Sequence, residues 1–174
     1  MTATQNLQST TAQPVQPAEP HARMDLAALA PAAYKAMIAL DTRVHAGPLP
    51  AELTELVKLR ASQINGCAYC VDSHSADALK AGTAPARLAA VGAWEEGPFF
   101  TPAERAAFAL TESMTRLSEG SPRVPDDVWA DVAAHFGDEE VAQLVMLLAT
   151  INAWNRIGVG TRMVPESWSE THPA

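Results

Sequence analysis

Prolines recur along this chain where a helix can begin, and glycines where one must end. Pro31 opens a segment that Gly47 closes, Pro50 opens the next and Gly66 ends it, and a third runs from about Cys67 to Gly82. Proline has a helical φ and lacks an N–H that the first turn does not need, while glycine enters the left-handed conformation that terminates a helix. Thr83 and Pro85 start a short helix reaching about Trp94. Thr101-Pro-Ala-Glu104 is a capping box, opening a helix to about Leu117. Pro125 to Phe136 forms another, ending at Gly137, and Asp138 caps a long last helix to about Gly158. Inside the segments apolar residues fall at helical spacing, as Leu53, Leu56, Val57 and Ile64 do. The pattern predicts an all-α helical bundle of about seven helices with short connections.

Composition agrees. Thirty-four residues are Ala, against sixteen Val and Ile together, and no alternating strand pattern with a hairpin dipeptide occurs. Residues 1–23 are mostly Thr, Gln, Ala, Ser and Pro and predict a disordered or extended arm; residues 24–163 form the domain, and 164–174 a loose tail or an arm across a neighbouring subunit. The net charge of −8, with no basic cluster, argues against nucleic acid and against a polybasic membrane surface. The apolar run Val141 to Ile151 is too short to span a bilayer and is broken by Gln143. The first residues do not read as a secretory signal, so a cytoplasmic protein is expected.

The chemistry concentrates in Cys67-Ala-Tyr-Cys70-Val-Asp-Ser-His74. At about 100° per residue Cys67, Cys70 and His74 share one helix face, so two thiols can pair with an imidazole one turn further on. Gly66 puts Cys67 at a helix start, where free amides favour a thiolate. If segments 50–65 and 67–82 form an antiparallel hairpin, His74 lies about 12 Å from the turn and Glu55 about 16 Å, against about 21 Å for Glu52. Glu55 is therefore the carboxylate placed to orient His74. Tyr69 falls about 140° or more from the thiol face and is expected to pack rather than react.

Glu55, Cys67-x-x-Cys70 and His74, led by Arg60-Ala-Ser-Gln-Ile-Asn-Gly, resemble the AhpD-like alkylhydroperoxidase branch of the carboxymuconolactone decarboxylase family. Asn152-Ala-Trp-Asn-Arg156 is similar to that family's last helix. The resemblance implies an all-helical, oligomeric peroxidase that reduces hydroperoxides through a dithiol–disulfide cycle. It makes Cys70 the attacking thiol, Cys67 the resolving one, and Glu55 with His74 the proton relay. Helix position alone favours Cys67 as the more acidic thiol, and only the resemblance assigns the attack to Cys70. Tyr69 departs from the pattern, standing where the best-studied AhpD type has a second relay histidine. The expected partners are a hydroperoxide, a dithiol reductant of thioredoxin-like or lipoyl type, and copies of the chain in a trimer or hexamer; no cofactor is expected.

Other readings remain. Cys67 and Cys70 could be two buried hydrophobes. A zinc site would need a fourth ligand beyond Cys67, Cys70 and His74, and His45, His135 and Asp72 lack ligand spacing. His21, His45, His135 and His172 are expected at the surface or termini, and Trp154, Met146, Leu147 and Ile151 in a core stripe. A decarboxylase-type enzyme on the same fold, or a non-catalytic dithiol redox sensor, are the alternative functions. Trp94, Phe99, Phe100, Trp129, Trp154 and Trp168 exceed what one helix face can bury, which is the residue-level argument for a homo-oligomer.

Overall fold

A computed structural model of the chain describes residues 19–119 and 123–171. Among them are nine α-helices, a single 3-10 turn and no strand. They are α1 (Leu26–Leu29), α2 (Pro31–His45), α3 (Ala51–Asn65), α4 (Ala68–Lys80), α5 (Pro85–Ala90), α6 (Pro102–Thr115), α7 (Asp126–His135), α8 (Asp138–Thr161) and α9 (Glu166–Thr171). The all-α architecture expected from the punctuation is present, with α1 and α9 as additions. Both are too short to show a helical period.

Helix α3 is the centre. It packs against α4, α6 and α8, and its residues Leu53 to Leu59 are all buried. On one side Leu53 and Val57 join Leu110 of α6 and Leu144, Leu147 and Leu148 of α8 in one core. On another, Leu56 and Leu59 meet Phe108, Val91, Trp94 and Phe100. Each such side chain contributes roughly 1.5–3 kcal/mol on full burial. Trp94 and Phe100 therefore turn inward and do not belong to an external surface, whereas Phe99 and Trp129 are exposed. Phe100 stacks edge-on against Phe108, with ring centres 5.0 Å apart. Met146 also departs from the expected core stripe: Leu147 and Ile151 are buried, but Met146 is exposed beside Trp129.

The helix ends follow local chemistry. The Thr101–Glu104 capping box forms in both directions. At α8 the cap is Gly137 rather than Asp138: the Glu140 carboxylate accepts from the Gly137 N–H at 2.9 Å, and the three acidic residues Asp138 to Glu140 occupy the first turn. Helix α8 runs past Gly158 to Thr161, because Arg162 (φ 55°) takes the left-handed position and Met163 N–H donates to Gly158 O at 3.0 Å. The chain then folds back on itself. Asp72 of α4 accepts from the Ser167 N–H at 3.0 Å, and Tyr69 donates to Glu166 at 2.9 Å. Residues 166–171 form a short helix bonded to α4; 172–174 lie outside the described residues, as do 1–18 of the expected arm. Residues 19–23 meet the end of α8, where Arg23 N–H donates to Thr161 O at 2.7 Å. No helix of the described residues is long and apolar enough to cross a membrane.

Candidate active site

The turn between α3 and α4 is two residues long. Gly66 (φ 67°) closes α3 in the left-handed conformation, and Cys67 N–H donates to Ser62 O at 3.1 Å, completing a Schellman closure. Cys67 is then the N-cap of α4, its sulfur accepting from Cys70 N–H at 3.3 Å. The two sulfurs are joined as a disulfide, 2.17 Å apart. Both residues are buried, at 1% and 4% exposure. One chain alone covers them. Gly158 of α8 lies so close that a β-carbon there would stand 2.7 Å from Cys67 Sγ and 3.4 Å from Cys70 Sγ.

The turn is anchored by asparagines. Asn65, the last residue of α3, donates to Asn152 Oδ1 at 2.9 Å and Asn155 Oδ1 at 2.8 Å. Asn155 in turn donates to Ser62 Oγ at 2.9 Å. Two asparagines one turn apart in an apolar helix were the sequence signal for this anchor. Buried amides are held only where they find partners, and these partners fix the approach of α8 to the end of α3, next to the cysteine turn.

Behind the cysteines, Glu55 and His74 meet. His74 Nδ1 lies 2.8 Å from Glu55 Oε2, in line with N–H donation to the carboxylate. The antiparallel α3–α4 hairpin brings together the two residues whose depths match. Three further residues complete the group, two of them absent from the sequence argument and the third, His45, expected only at the surface. Lys58 Nζ is 3.6 Å from Glu55 Oε1 and 3.7 Å from Asp41 of α2, and His45 Nδ1 is 3.4 Å from the same Oε1. Lys58 was signalled by lying three residues beyond Glu55 in a buried stripe. His45 carried no signal, since α2 is joined to Glu55 only by tertiary packing. It is exposed, as expected, yet its ring faces the site.

Burial pushes the Glu55 carboxyl upward, but the His74 hydrogen bond and the charges of Lys58, His74 and His45 outweigh it and hold the group below its ordinary value. Tyr69 is the opposite case. Burial, then its hydrogen bond to Glu166 and the Glu166 charge, push its phenol up to about 12. It stays neutral over the physiological range and is no substitute for an ionisable relay histidine. Nor does it point clear of the site: a cleft of about 220 Å³ is lined by Tyr34, Ile38, Asp41, Tyr69, Trp154 and Met163 together with His74. The first turn of α4 carries the long Tyr69 ring to the mouth of that cleft despite its angle on the helix. A second cleft, of about 450 Å³, is bordered by Gly66 and Ala68 on either side of Cys67. His135 bonds its own helix through Asp131 O at 2.8 Å, and His21 is exposed; neither belongs to the site. His172 lies outside the described residues.

Comparison with known proteins shows the family. Residues 31–113 match the carboxymuconolactone decarboxylase family. The uncharacterized protein YdfG of Bacillus subtilis is 37% identical over 131 residues, covering 75% of this chain and 88% of its own. A crystal structure of a protein of unknown function from Agrobacterium tumefaciens, named as a candidate AhpD antioxidant defence protein, superposes with a TM-score of 0.80 at 36% identity, over 83% of this chain and 98% of the other. The debrominase Bmp8 shares the fold at a TM-score of 0.70 and 20% identity, over 83% of this chain and 76% of its own. Helical architecture, matched segment and relatives agree, and the chain belongs to the carboxymuconolactone decarboxylase family.

Proposed function

We propose that this protein is a dithiol hydroperoxide reductase. The observation that supports the reading is a joined Cys67–Cys70 pair at a helix start, with an imidazole one turn beyond Cys70 that is hydrogen-bonded to a buried carboxylate. In the reduced protein the Cys70 thiolate attacks the peroxide O–O bond. Cys70 becomes a sulfenic acid, and the departing alkoxide takes a proton from His74, leaving as alcohol, or as water from hydrogen peroxide. Glu55 holds the imidazole for that transfer. Cys67 then displaces hydroxide from the sulfenic sulfur, which leaves as water, and the disulfide closes. An external dithiol reopens it by exchange and is itself oxidised to a disulfide. A thioredoxin-like or lipoyl dithiol has that chemistry, and the cytoplasm is where such donors stay reduced.

The test is a panel of hydrogen peroxide, cumene hydroperoxide and tert-butyl hydroperoxide, with thioredoxin and dihydrolipoamide as donors. Sustained peroxide loss that requires both a donor and Cys70 supports the reading. A single stoichiometric oxidation without turnover makes the protein a redox sensor. Retained dithiols after peroxide treatment, with decarboxylation of a carboxymuconolactone, make it a decarboxylase.

A further inference from the structure

A thiol that reduces a disulfide must approach one sulfur along the S–S axis, and here that approach is closed: Cys67 is 1% and Cys70 4% exposed. Two groups stand over the pair. Around the place where a β-carbon of Gly158 would sit, Cys67 Sγ lies at 2.7 Å, Cys70 Sγ at 3.4 Å and Met163 Sδ at 4.0 Å. The α8 backbone at Gly158 is fixed on both sides. Asn65 bonds Asn152 and Asn155 before it, and Arg23 donates to Gly160 O at 3.0 Å and Thr161 O at 2.7 Å beyond it. The backbone of Met163 is fixed as well. Its N–H donates to Gly158 O at 3.0 Å, and just downstream Tyr69 and Asp72 of α4 hold Glu166 and Ser167. The Met163 side chain is different. A thioether is a weak acceptor, so packing holds it, and it is half-buried, unbranched and free to turn about three bonds. It also stands at a crossing. Clefts of about 510, 450 and 220 Å³ converge here, and Met163 alone borders all three. The second reaches Gly66, Ala68 and Gly158 around Cys67, and the third reaches His74.

We propose that Met163 is the gate of the dithiol cycle and a specificity-determining residue for its reductant: the disulfide is reduced only while the thioether is swung off the two sulfurs into a neighbouring cleft. With the side chain displaced, an incoming thiolate bonds to one cysteine sulfur, the S–S bond breaks, and its electron pair leaves on the other cysteine as a thiolate. A second thiol from the donor then releases the chain and leaves the donor oxidised to its own disulfide. With the side chain in place none of this begins. The gate also selects by size, because a slender thiol passes a partly turned methionine and a wider one needs it fully displaced. The proposal rests on the dithiol cycle given above as the function, but the gate acts on the disulfide itself and is measured with no peroxide present.

The experiment mixes the oxidised full chain with excess dithiothreitol or glutathione and follows loss of the Cys67–Cys70 bond by quenching, alkylation and mass spectrometry. Wild type, Met163→Ala and Met163→Leu are compared. Lifting a packed methionine away forfeits enough apolar contact that Met163→Ala should be reduced about tenfold faster, with the larger gain for glutathione. Met163→Leu keeps the apolar bulk and should stay within about threefold of wild type. The equilibrium constant for exchange with dithiothreitol should stay within about twofold in Met163→Ala, because a gate speeds cleavage and closure of the bond alike. Equal rates in wild type and Met163→Ala overturn the proposal. So does a leucine variant as fast as the alanine one, or an equilibrium that shifts as far as the rate. A chain that shows the expected rates yet turns over no peroxide keeps the gate and loses only the peroxidase reading.

Discussion

Gly158 of α8 and Cys67 at the cap of α4 are in contact closer than any other residue in place of the glycine would allow, since a β-carbon at 158 would stand 2.7 Å from the sulfur. Glycine inside a helix costs roughly 1 kcal/mol relative to alanine, so on helix propensity alone Ala would be preferred. Gly158→Ala must instead displace a sulfur that is tied at both ends. It is expected to lower stability by about 1–3 kcal/mol and to slow disulfide closure. Urea unfolding of oxidised and reduced protein checks this: the variant should lose more stability in the oxidised form.

The division of labour between the cysteines has a direct test. Cys70→Ser should abolish peroxide consumption, while Cys67→Ser should react once and stop as a sulfenic acid. Serine is itself a favoured N-cap, so Cys67→Ser keeps α4 capped and its defect is chemical. Mass spectrometry after one equivalent of peroxide, with dimedone as trap, reads the outcome. Multiple turnover by either variant would reject the assignment.

Glu55 is proposed to serve the chemistry, and it also holds the fold. Glu55→Gln removes the partner of buried Lys58 and of His74, and is expected to cost about 3 kcal/mol near neutral pH. The peroxidase rate should fall at least about 10-fold, and His74→Gln should do likewise. The folded carboxyl is held below its ordinary value of 4.5, so its stabilisation is complete above that value and is lost as pH falls through the lower, folded one. The stability gap between wild type and Glu55→Gln should therefore be full at pH 7 and shrink in strong acid. A gap independent of pH would mean that the charge on Glu55 contributes nothing.

Gln143 locks the turn that carries His45. Its amide oxygen accepts from Leu49 N–H at 2.6 Å and its amide nitrogen donates to Val44 O at 2.8 Å. Gly47 leaves room for it, since a β-carbon there would fall 2.3 Å from Gln143 Cδ. Gln143→Leu leaves the buried Leu49 N–H unpaired, while Val44 O keeps the Gly47 N–H at 3.3 Å, and should cost about 1–3 kcal/mol, measured as a fall in thermal midpoint. Retained stability would show that the turn is held by its apolar neighbours alone.

Assembly is the last expectation. Phe99, Trp129, Met146 and Val159 are exposed apolar side chains, and a trimer or hexamer would cover such surface. Light scattering at micromolar concentration should give a mass several times 18.5 kDa; a mass near that of one chain would refute the oligomer.

The amino-acid sequence determined what local chemistry can determine. Proline, glycine and capping residues act within one turn of the chain, so the positions of α2 to α8 were legible to within a few residues. The hairpin of α3 and α4 has a two-residue turn, which leaves almost no freedom in its register, and the pairing of Glu55 with His74 follows from depth along two helices. Tertiary structure decided whatever depends on helices far apart in sequence. His45 and Asp41 reach Glu55 only because α2 packs beside the hairpin, and Gly158 reaches the sulfurs only because α8 crosses it. Gln143 looked like an interruption of an apolar run until α8 carried it against Leu49 N–H and Val44 O at the α2–α3 turn. Trp94 and Phe100, read as surplus aromatics, turn inward because Phe108 of α6 waits for them there. Periodicity assigns a residue to a face of its own helix, but which helix that face will meet is settled only when the whole core packs at once.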